Sequence, residues 1–562
     1  MTCAATAARY AALAAYLCVV AAVCGGCRRS ALPPRPDGAA VVVAKDPASA
    51  DGDVKPVPEV EPNDKLSQAQ RLVVGPGVPG GIAGELAAAA KPDVDLYRLD
   101  IPGADGGAAP PGPDGGLPRV LRRALRVELR PDAAITAILE ALDDAGHVLV
   151  SAPAGQPGEP TAIPNLAVAP GAYHLRVRGA GSVAGRYRLI ARLGVLDAGG
   201  EIEPNGTAEL ATELAPGSEA VGYLGWRHDS DWYRLPTAGL AEGSVLSVDL
   251  EPVPEVAAAL QLMDGAARKL VESRGRKGER VALRNVRVAP GDAQMYVVVR
   301  TDGGSSSDIR YNLRARAELA RPGGGDAEPN DDLAHAQAVG EGTLQGFLGR
   351  GDVDVFRIAA AASEVDIEIA PPERVDAKLE VLREDGTRIL RVDAGRRREA
   401  ERIPNLHVEG GKLILRVSAG SGDGNPDEPY RLTIASRAPN PGDEREPNDT
   451  IAMPTVLGAN EHGHGLIAPK ADADFWKIAA ETDAEGGVNV TVTGILGMTL
   501  AGRVRTDAGR ELAKFKVPNQ SAVTTRVTFA GEPCCLVELR EEKGKLANTS
   551  DRYDVVVGAR AQ

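Results

Sequence analysis

The stretch "EVEPND" (59–64) has the composition of a linker, yet it recurs three times: "EIEPNG" (201–206), "DAEPND" (326–331) and "EREPND" (444–449). Its prolines, at 62, 204, 329 and 447, lie 142, 125 and 118 residues apart. Solenoid repeats have periods of about 20–50 residues. The intervals here are domain-sized, so the chain reads as a string of independent domains rather than a solenoid. The longer first interval contains "ADGGAAPPGPDGGLP" (104–118), which has the composition of an inserted loop.

Other landmarks follow each copy in constant order. First comes a glycine-bearing stretch and then Asp-x-Asp: "DVDLYRL" (93–99), "DSDWYRL" (229–235), "DVDVFRI" (352–358) and "DADFWKI" (472–478). Next is alternating apolar sequence broken by an Asp/Gly turn: "AILEALDDAGHVLV" (137–150), "AALQLMDGAARKLV" (258–271), "AKLEVLREDGTRIL" (377–390) and "AGRVRTDAGRELA" (501–513). Such turns supply the positive φ that tight hairpins need. Two more strands follow, "GAYHLRV", "QMYVVVR", "GKLILRV" and "CCLVELR", then segments opening on Tyr187, Tyr311, Tyr430 and Tyr553. Period-two strands separated by turns predict an all-β fold of four tandem antiparallel β-sandwiches over 59–196, 199–318, 325–438 and 442–560.

Bulk properties agree. Of 562 residues, only 3% are aromatic, while Gly (65) and Pro (41) are abundant, as suits short strands and turns. A net charge of −14 speaks against nucleic acid as a partner, because that binding rests on Lys and Arg neutralising phosphates. Four of the six cysteines lie in the first 27 residues, so no disulfide framework holds the chain. His-Glu-x-x-His, Gly-x-Ser-x-Gly and a phosphate-binding glycine-lysine loop are all missing, and the expectation is a non-enzyme.

The N-terminus has one early charge, Arg9, an apolar run from Ala11 to Val23, and then "CGGC" (24–27). The layout is secretory, and the run is too short to span a bilayer comfortably. Small residues directly before a cysteine resemble the lipobox of bacterial lipoproteins. Cys27, preceded by Gly25 and Gly26, is the expected lipidation site, with Cys24 as the rival. Cys24 also stands where that pattern usually has Leu. Residues 1–26 are then a signal peptide and 27–58, rich in Pro, Ala, Gly and Asp, a flexible tether. The expected location is the bacterial cell envelope, with the lipid anchoring the chain to a membrane.

The repeated acidic positions suggest a hard cation. A residue before proline is driven towards extended backbone, where i and i+2 point the same way. Glu59 and Glu61, Glu201 and Glu203, Asp326 and Glu328, and Glu444 and Glu446 therefore pair carboxylates on one face, joined by Asn63, Asn205, Asn330 and Asn448. In Asp-x-Asp-x-aromatic the aromatic should face the core, which aims Asp93 and Asp95, Asp229 and Asp231, Asp352 and Asp354, and Asp472 and Asp474 inward. Inward carboxylates are costly unless paired or coordinated. A set of oxygens without Cys or His suits Ca²⁺. A rim turn of capping Asn and Asp without metal is the alternative.

The ordered set of Glu-Pro-Asn, Asp-x-Asp-x-aromatic and closing Tyr strand resembles the bacterial pre-peptidase C-terminal domain family, related to the collagen-binding domains of secreted collagenases. The resemblance covers four segments from about residue 59 onward. It implies a jelly-roll-like sandwich and calcium at the matching segments. It also implies a neighbouring peptidase, for which this sequence has no room. The expected function is binding or adhesion to a protein or polysaccharide by tandem calcium-stabilised modules. The alternative is a structural spacer or accessory subunit of an envelope or secreted enzyme complex. Among minor features, "RGD" at 350–352 is expected to be coincidental and "HGH" at 462–464 a solvated loop. Cys534 and Cys535 are expected as free thiols on opposite strand faces.

Overall fold

The computed structural model describes residues 54–558 apart from 89–92, 104–121, 182, 198, 290, 321–324, 421, 423, 459, 480–481 and 530–533. Cys27, the signal peptide, most of the tether and the 104–118 insertion lie outside the described residues. Among the described residues the only helical turns are three short 3₁₀ segments, and no helix is long and apolar enough to cross a membrane.

Each repeat folds into two facing sheets with one strand order. In the second repeat, one sheet runs Glu219–Leu224, Ser306–Leu319, Ser244–Leu250 and Val281–Arg287. The other runs Thr212–Glu213, Ser230–Pro236, Gln294–Gly303, Ala257–Met263 and Lys269–Arg274. The four Asp/Gly segments form the expected antiparallel hairpins, for example Ala137–Asp143 with Val148–Pro153 across Gly146 at φ 89°. One departure from a purely antiparallel sandwich recurs. The short edge strand after each Glu-Pro-Asn pairs in parallel with the Asp-x-Asp strand, as Gln70 does with Tyr97. In the first repeat Val57 and Pro58, expected at the end of the tether, already pair with Ile82 and Ala83.

Alternation along these strands fills four separate cores, one between each pair of sheets. The aromatics of the Asp-x-Asp segments, Tyr97, Tyr233, Phe356 and Trp476, are fully buried there, as are the closing tyrosines Tyr187, Tyr311, Tyr430 and Tyr553. Burying one such side chain contributes roughly 1.5–3 kcal/mol, which explains why the few aromatics cluster at these positions.

The sandwiches are not independent beads. The acidic motif of the second, third and fourth repeats also pairs with an edge strand of the sandwich before it, through parallel bridges Leu166↔Glu203, Val286↔Glu328 and Leu406↔Glu446. Trp226 of the second repeat packs into the core of the first. Arg350 of the third forms an ion pair with Glu279 of the second at 3.0 Å, so the arginine of "RGD" is spent on a contact between sandwiches. The expectation of independent domains is corrected to this extent: the units are domain-sized, but neighbours are hydrogen-bonded to one another as in a solenoid.

Two further expectations change. His464 lies on the strand Gly463–Ile467, with its ring bonded to Asp554, rather than in a solvated loop. Cys534 and Cys535 form a disulfide instead of remaining free. The opposite-face argument assumed a trans peptide, whereas this peptide is cis and its Cα atoms are 3.0 Å apart.

Candidate cation sites

The Glu-Pro-Asn motif crosses from one sheet to the other at one end of each sandwich. In the second repeat the Glu201 amide donates to the Val221 carbonyl of the first sheet (2.8 Å) and the Trp232 amide of the second sheet donates to the Asn205 carbonyl (3.1 Å). The other three copies make the same pair of bonds. All four Glu-Pro peptides are cis. After the proline, the Asn amide donates to the preceding glutamate, Asn205 to Glu203 at 3.0 Å, with equivalents at Asn63, Asn330 and Asn448.

This crossing brings three carboxylates together in every repeat. Glu59, Glu61 and Asp95 each offer an oxygen, with all three oxygens within 4.8 Å of one another. The same holds for Glu201, Glu203 and Asp231, for Asp326, Glu328 and Asp354, and for Glu444, Glu446 and Asp474. The second aspartate of Asp-x-Asp accepts the closing tyrosine's hydroxyl with one oxygen, Tyr311 to Asp231 at 2.8 Å and Tyr430 to Asp354 at 2.6 Å. Tyr187 and Tyr553 do likewise with Asp95 and Asp474. The first aspartate faces the loop before it. Asp93, Asp229, Asp352 and Asp472 each accept a backbone amide there, for instance Gly225 to Asp229 at 2.6 Å. They border the clusters as further carboxyl groups and are not among the three convergent oxygens.

Room for the tyrosine comes from the glycine paired with it on the neighbouring strand of the same sheet. A Cβ at Gly84, Gly222, Gly346 or Gly465 would stand 2.2–2.4 Å from the nearest ring or hydroxyl atom of Tyr187, Tyr311, Tyr430 or Tyr553. The glycine-bearing stretch after each motif is thus explained by close approach.

Several oxygens at these points have no hydrogen-bond partner although they are buried. They are Asn63 and Asn205 Oδ1, Asn330 and Asn448 Oδ1, the Oδ1 of Asp95, Asp231, Asp354 and Asp474, and the Oε1 of Glu203, Glu328 and Glu446. Asp472 Oδ1 joins them in the fourth repeat. Orphaned buried acceptors are rare and cost about 1–3 kcal/mol each, more when charged. Here they recur at the same three motif positions. Among the described residues none of these cluster carboxylates forms an ion pair, whereas other buried carboxylates do. Glu140 meets Arg176 and Arg178, Asp249 meets Arg284 and Arg316, and Glu538 meets Arg505.

The protonation equilibria follow this contrast. Burial, only partly offset by Tyr187, pushes Asp95 up to about 8. Burial and the neighbouring Glu201 charge push Glu203 up to about 8, and burial with Asp352 pushes Glu328 up to about 9. Asp231, Asp354 and Asp474 stand well above the usual range for the same reasons. Glu140 is buried too, but its two arginines hold it below its ordinary value. The four clusters therefore lack a positive charge that the rest of the fold supplies to its buried acids. A hard divalent cation fits this donor set of Asp and Glu carboxylates and an Asn carbonyl, with water completing the six to eight oxygens that calcium takes.

Residues outside the motif complete three of the clusters. Asn165, Asn285 and Asn405 each donate from one sandwich to the first acid of the next: Glu201 at 2.8 Å, Asp326 at 2.6 Å and Glu444 at 3.1 Å. Their sequence signal is a second repeat, "IPNL" (163–166), "LRNV" (283–286) and "IPNL" (403–406).

No protein-family model and no curated protein matches this chain. Among solved structures, it is similar to the PBSX exported protein XepA at 13% identity over 46% of this chain and 90% of that one, with a TM-score of 0.15. It is also similar to the M60 catalytic domain with CBM51 domains of Clostridium perfringens ZmpB, at 11% identity over 58% and 33% with a TM-score of 0.13. The Bacteroides ovatus mixed-linkage glucan-utilisation protein SGBP-B, solved with a heptasaccharide, gives 11% over 75% and 89% with a TM-score of 0.12. At such TM-scores no residue or function carries over from them. The chain is a β-rich protein of tandem units.

Proposed function

We propose that this chain is a non-enzymatic, lipid-anchored cell-envelope protein of the pre-peptidase C-terminal domain type. In this reading each sandwich is closed by a structural Ca²⁺, and the array presents a binding surface to a protein or polysaccharide. The observation that supports it is the fourfold recurrence of buried, unpaired oxygens at the crossing of the two sheets. In the same reading the array lies outside the cytoplasm, which the lipobox-like "CGGC" supports. Calcium here would stabilise and shape the fold rather than take part in a reaction.

Elemental analysis tests the metal. After dialysis against calcium and removal of free ion, four Ca²⁺ per chain are expected, and none after Asp95→Asn, Asp231→Asn, Asp354→Asn and Asp474→Asn are combined. Metal-free wild-type protein after calcium dialysis would reject the reading. Fractionation tests the anchor. The wild-type chain should sediment with membranes and Cys27→Ala should be soluble, because multiple acyl chains at about 0.8 kcal/mol per buried methylene are needed for firm anchoring. An unchanged distribution would reject Cys27 as the lipidated residue.

The joints between sandwiches favour a second reading, in which the array is a spacer or accessory subunit holding a partner enzyme at a distance. Co-sedimentation with insoluble polysaccharides and immobilised matrix proteins separates the two. Saturable binding supports the adhesion reading, and its absence across the panel supports the spacer.

A further inference from the structure

The four clusters are alike in sequence but not in construction. In the first, Glu59 and Glu61 are not buried, and the motif's own Asn63 amide donates to Glu59 at 2.8 Å. In the other three both motif acids are buried: Glu201 and Glu203, Asp326 and Glu328, Glu444 and Glu446. There the amide on the first acid comes from Asn165, Asn285 or Asn405 of the preceding sandwich. The motif's own Asn205 and Asn330 leave their side-chain amides without a partner, and that of Asn448 turns to Thr455.

The strand that carries the donating asparagine is built for this contact. It is bulged in the first three sandwiches, with register shifts between Leu125 and Val127, Leu246 and Val248, and Val365 and Ile367 of its partner strand. Asn285 and Asn405 sit there at φ 51° and 54°, a conformation that asparagine tolerates better than most residues. Backbone bonds flank the side chain. The Glu203, Glu328 and Glu446 amides donate to the Asn165, Asn285 and Asn405 carbonyls at 3.3, 3.0 and 2.9 Å. The Ala167, Arg287 and His407 amides donate back to Glu203, Glu328 and Glu446 at 2.9, 2.9 and 2.7 Å. The corresponding strand of the fourth sandwich, Ala522–Thr528, pairs with Gly487–Thr493 in unbroken register, contains no asparagine and holds no such segment. Bulge, asparagine and docked acid occur together or not at all.

We propose that the second, third and fourth cation sites are composite. Each is completed by the sandwich before it, whose asparagine positions the first carboxylate, and ion binding in turn locks that joint. The first site is built by one sandwich alone. The proposal rests on the cation reading above. Its physical basis is that the carboxylate oxygens cannot relax apart without releasing the asparagine. In the second and fourth sites one oxygen takes both the asparagine amide and a strand amide, Tyr223 or Leu466, each at 2.8 Å from it, leaving the other oxygen beside the closing tyrosine. Asn165, Asn285 and Asn405 are positioning residues and are not assigned as ligands. Linkage makes the effect reciprocal: what the joint does for the ion, the ion does for the joint.

The test uses the full chain in detergent with Ca²⁺ as probe. Calcium titration should resolve one site that differs in affinity from three others. Asn285→Gly, which accepts the positive φ, should weaken one of those three by about 10- to 100-fold, as loss of an orienting partner does, and leave the remaining sites unchanged. Hydrogen exchange on the wild-type chain provides a readout that needs no variant. Calcium should slow exchange of the Ala167, Arg287 and His407 amides at least tenfold. Four bound calcium ions with joint amides that exchange at the same rate, or an Asn285→Gly chain that binds calcium like wild type, would overturn the composite sites while leaving the cation reading intact. No calcium binding at all would overturn both.

Discussion

Calcium at a hundredfold over its dissociation constant should raise the melting temperature of chelator-stripped protein by roughly 10 °C. A ligand bound only by the native state contributes about 2.7 kcal/mol at that excess, and a domain of this size moves by about 4 °C per kcal/mol. The shift should vanish with EDTA and return with calcium. Magnesium should substitute poorly, because it demands near-ideal octahedral geometry and keeps its waters. The pH dependence has a definite sign. Asp95 and Glu203 are raised to about 8 and Glu328 to about 9, mainly by burial. A carboxyl group raised above its unfolded value of about 4 favours the fold below that value and loses the contribution as pH rises through 8–9. Metal-free protein should therefore melt higher at pH 5.5 than at pH 8.5, and calcium should remove or reverse that order. A metal-free form that gains stability from pH 5.5 to 8.5, or melting indifferent to both calcium and chelator, would contradict the cation reading.

Gly346→Ala should destabilise the third sandwich by about 3 kcal/mol or more. A Cβ there would lie 2.2 Å from the Tyr430 hydroxyl and 2.3 Å from its ring. Tyr430 is fully buried in the core, so it cannot swing aside. Displacing it also strips Asp354 of its hydrogen-bond donor. Gly340→Ala is the matched control. It has open space around its Cβ and no positive φ, so it should change stability by less than about 0.5 kcal/mol. Urea unfolding of both variants decides the matter. Equal transitions would mean that the glycine of each repeat is not there for the tyrosine.

Much of this was legible in the residues themselves. Alternation and Asp/Gly turns such as Asp143 to Gly146 specify strands and hairpins locally, because period and turn chemistry are properties of neighbouring residues. The aromatic of Asp-x-Asp-x-aromatic was legible as core, since Tyr97, Tyr233, Phe356 and Trp476 share a parity with the aspartates, and strand faces alternate strictly. The same parity aimed Asp95, Asp231, Asp354 and Asp474 inward. It could not separate them from Asp93, Asp229, Asp352 and Asp472, which hold the preceding loop. That division depends on which backbone amides lie nearby.

What the sequence by itself determined is therefore the local grammar: four copies, their strands, their turns, and the acids and asparagines that each copy places together. The tertiary structure decided how the copies are joined and what each motif position faces. Whether an acid meets an arginine, a tyrosine or another acid depends on distant chain segments, 128 residues away for Tyr187 on Glu59 and 182 for Arg126 on Asp308. "IPNL" was visible as a repeated string, but its purpose was not, because the asparagine's partner belongs to the next sandwich. A repeated string can mark where units join, but it does not name the partner, since the geometry of the bond exists only once two folded surfaces meet.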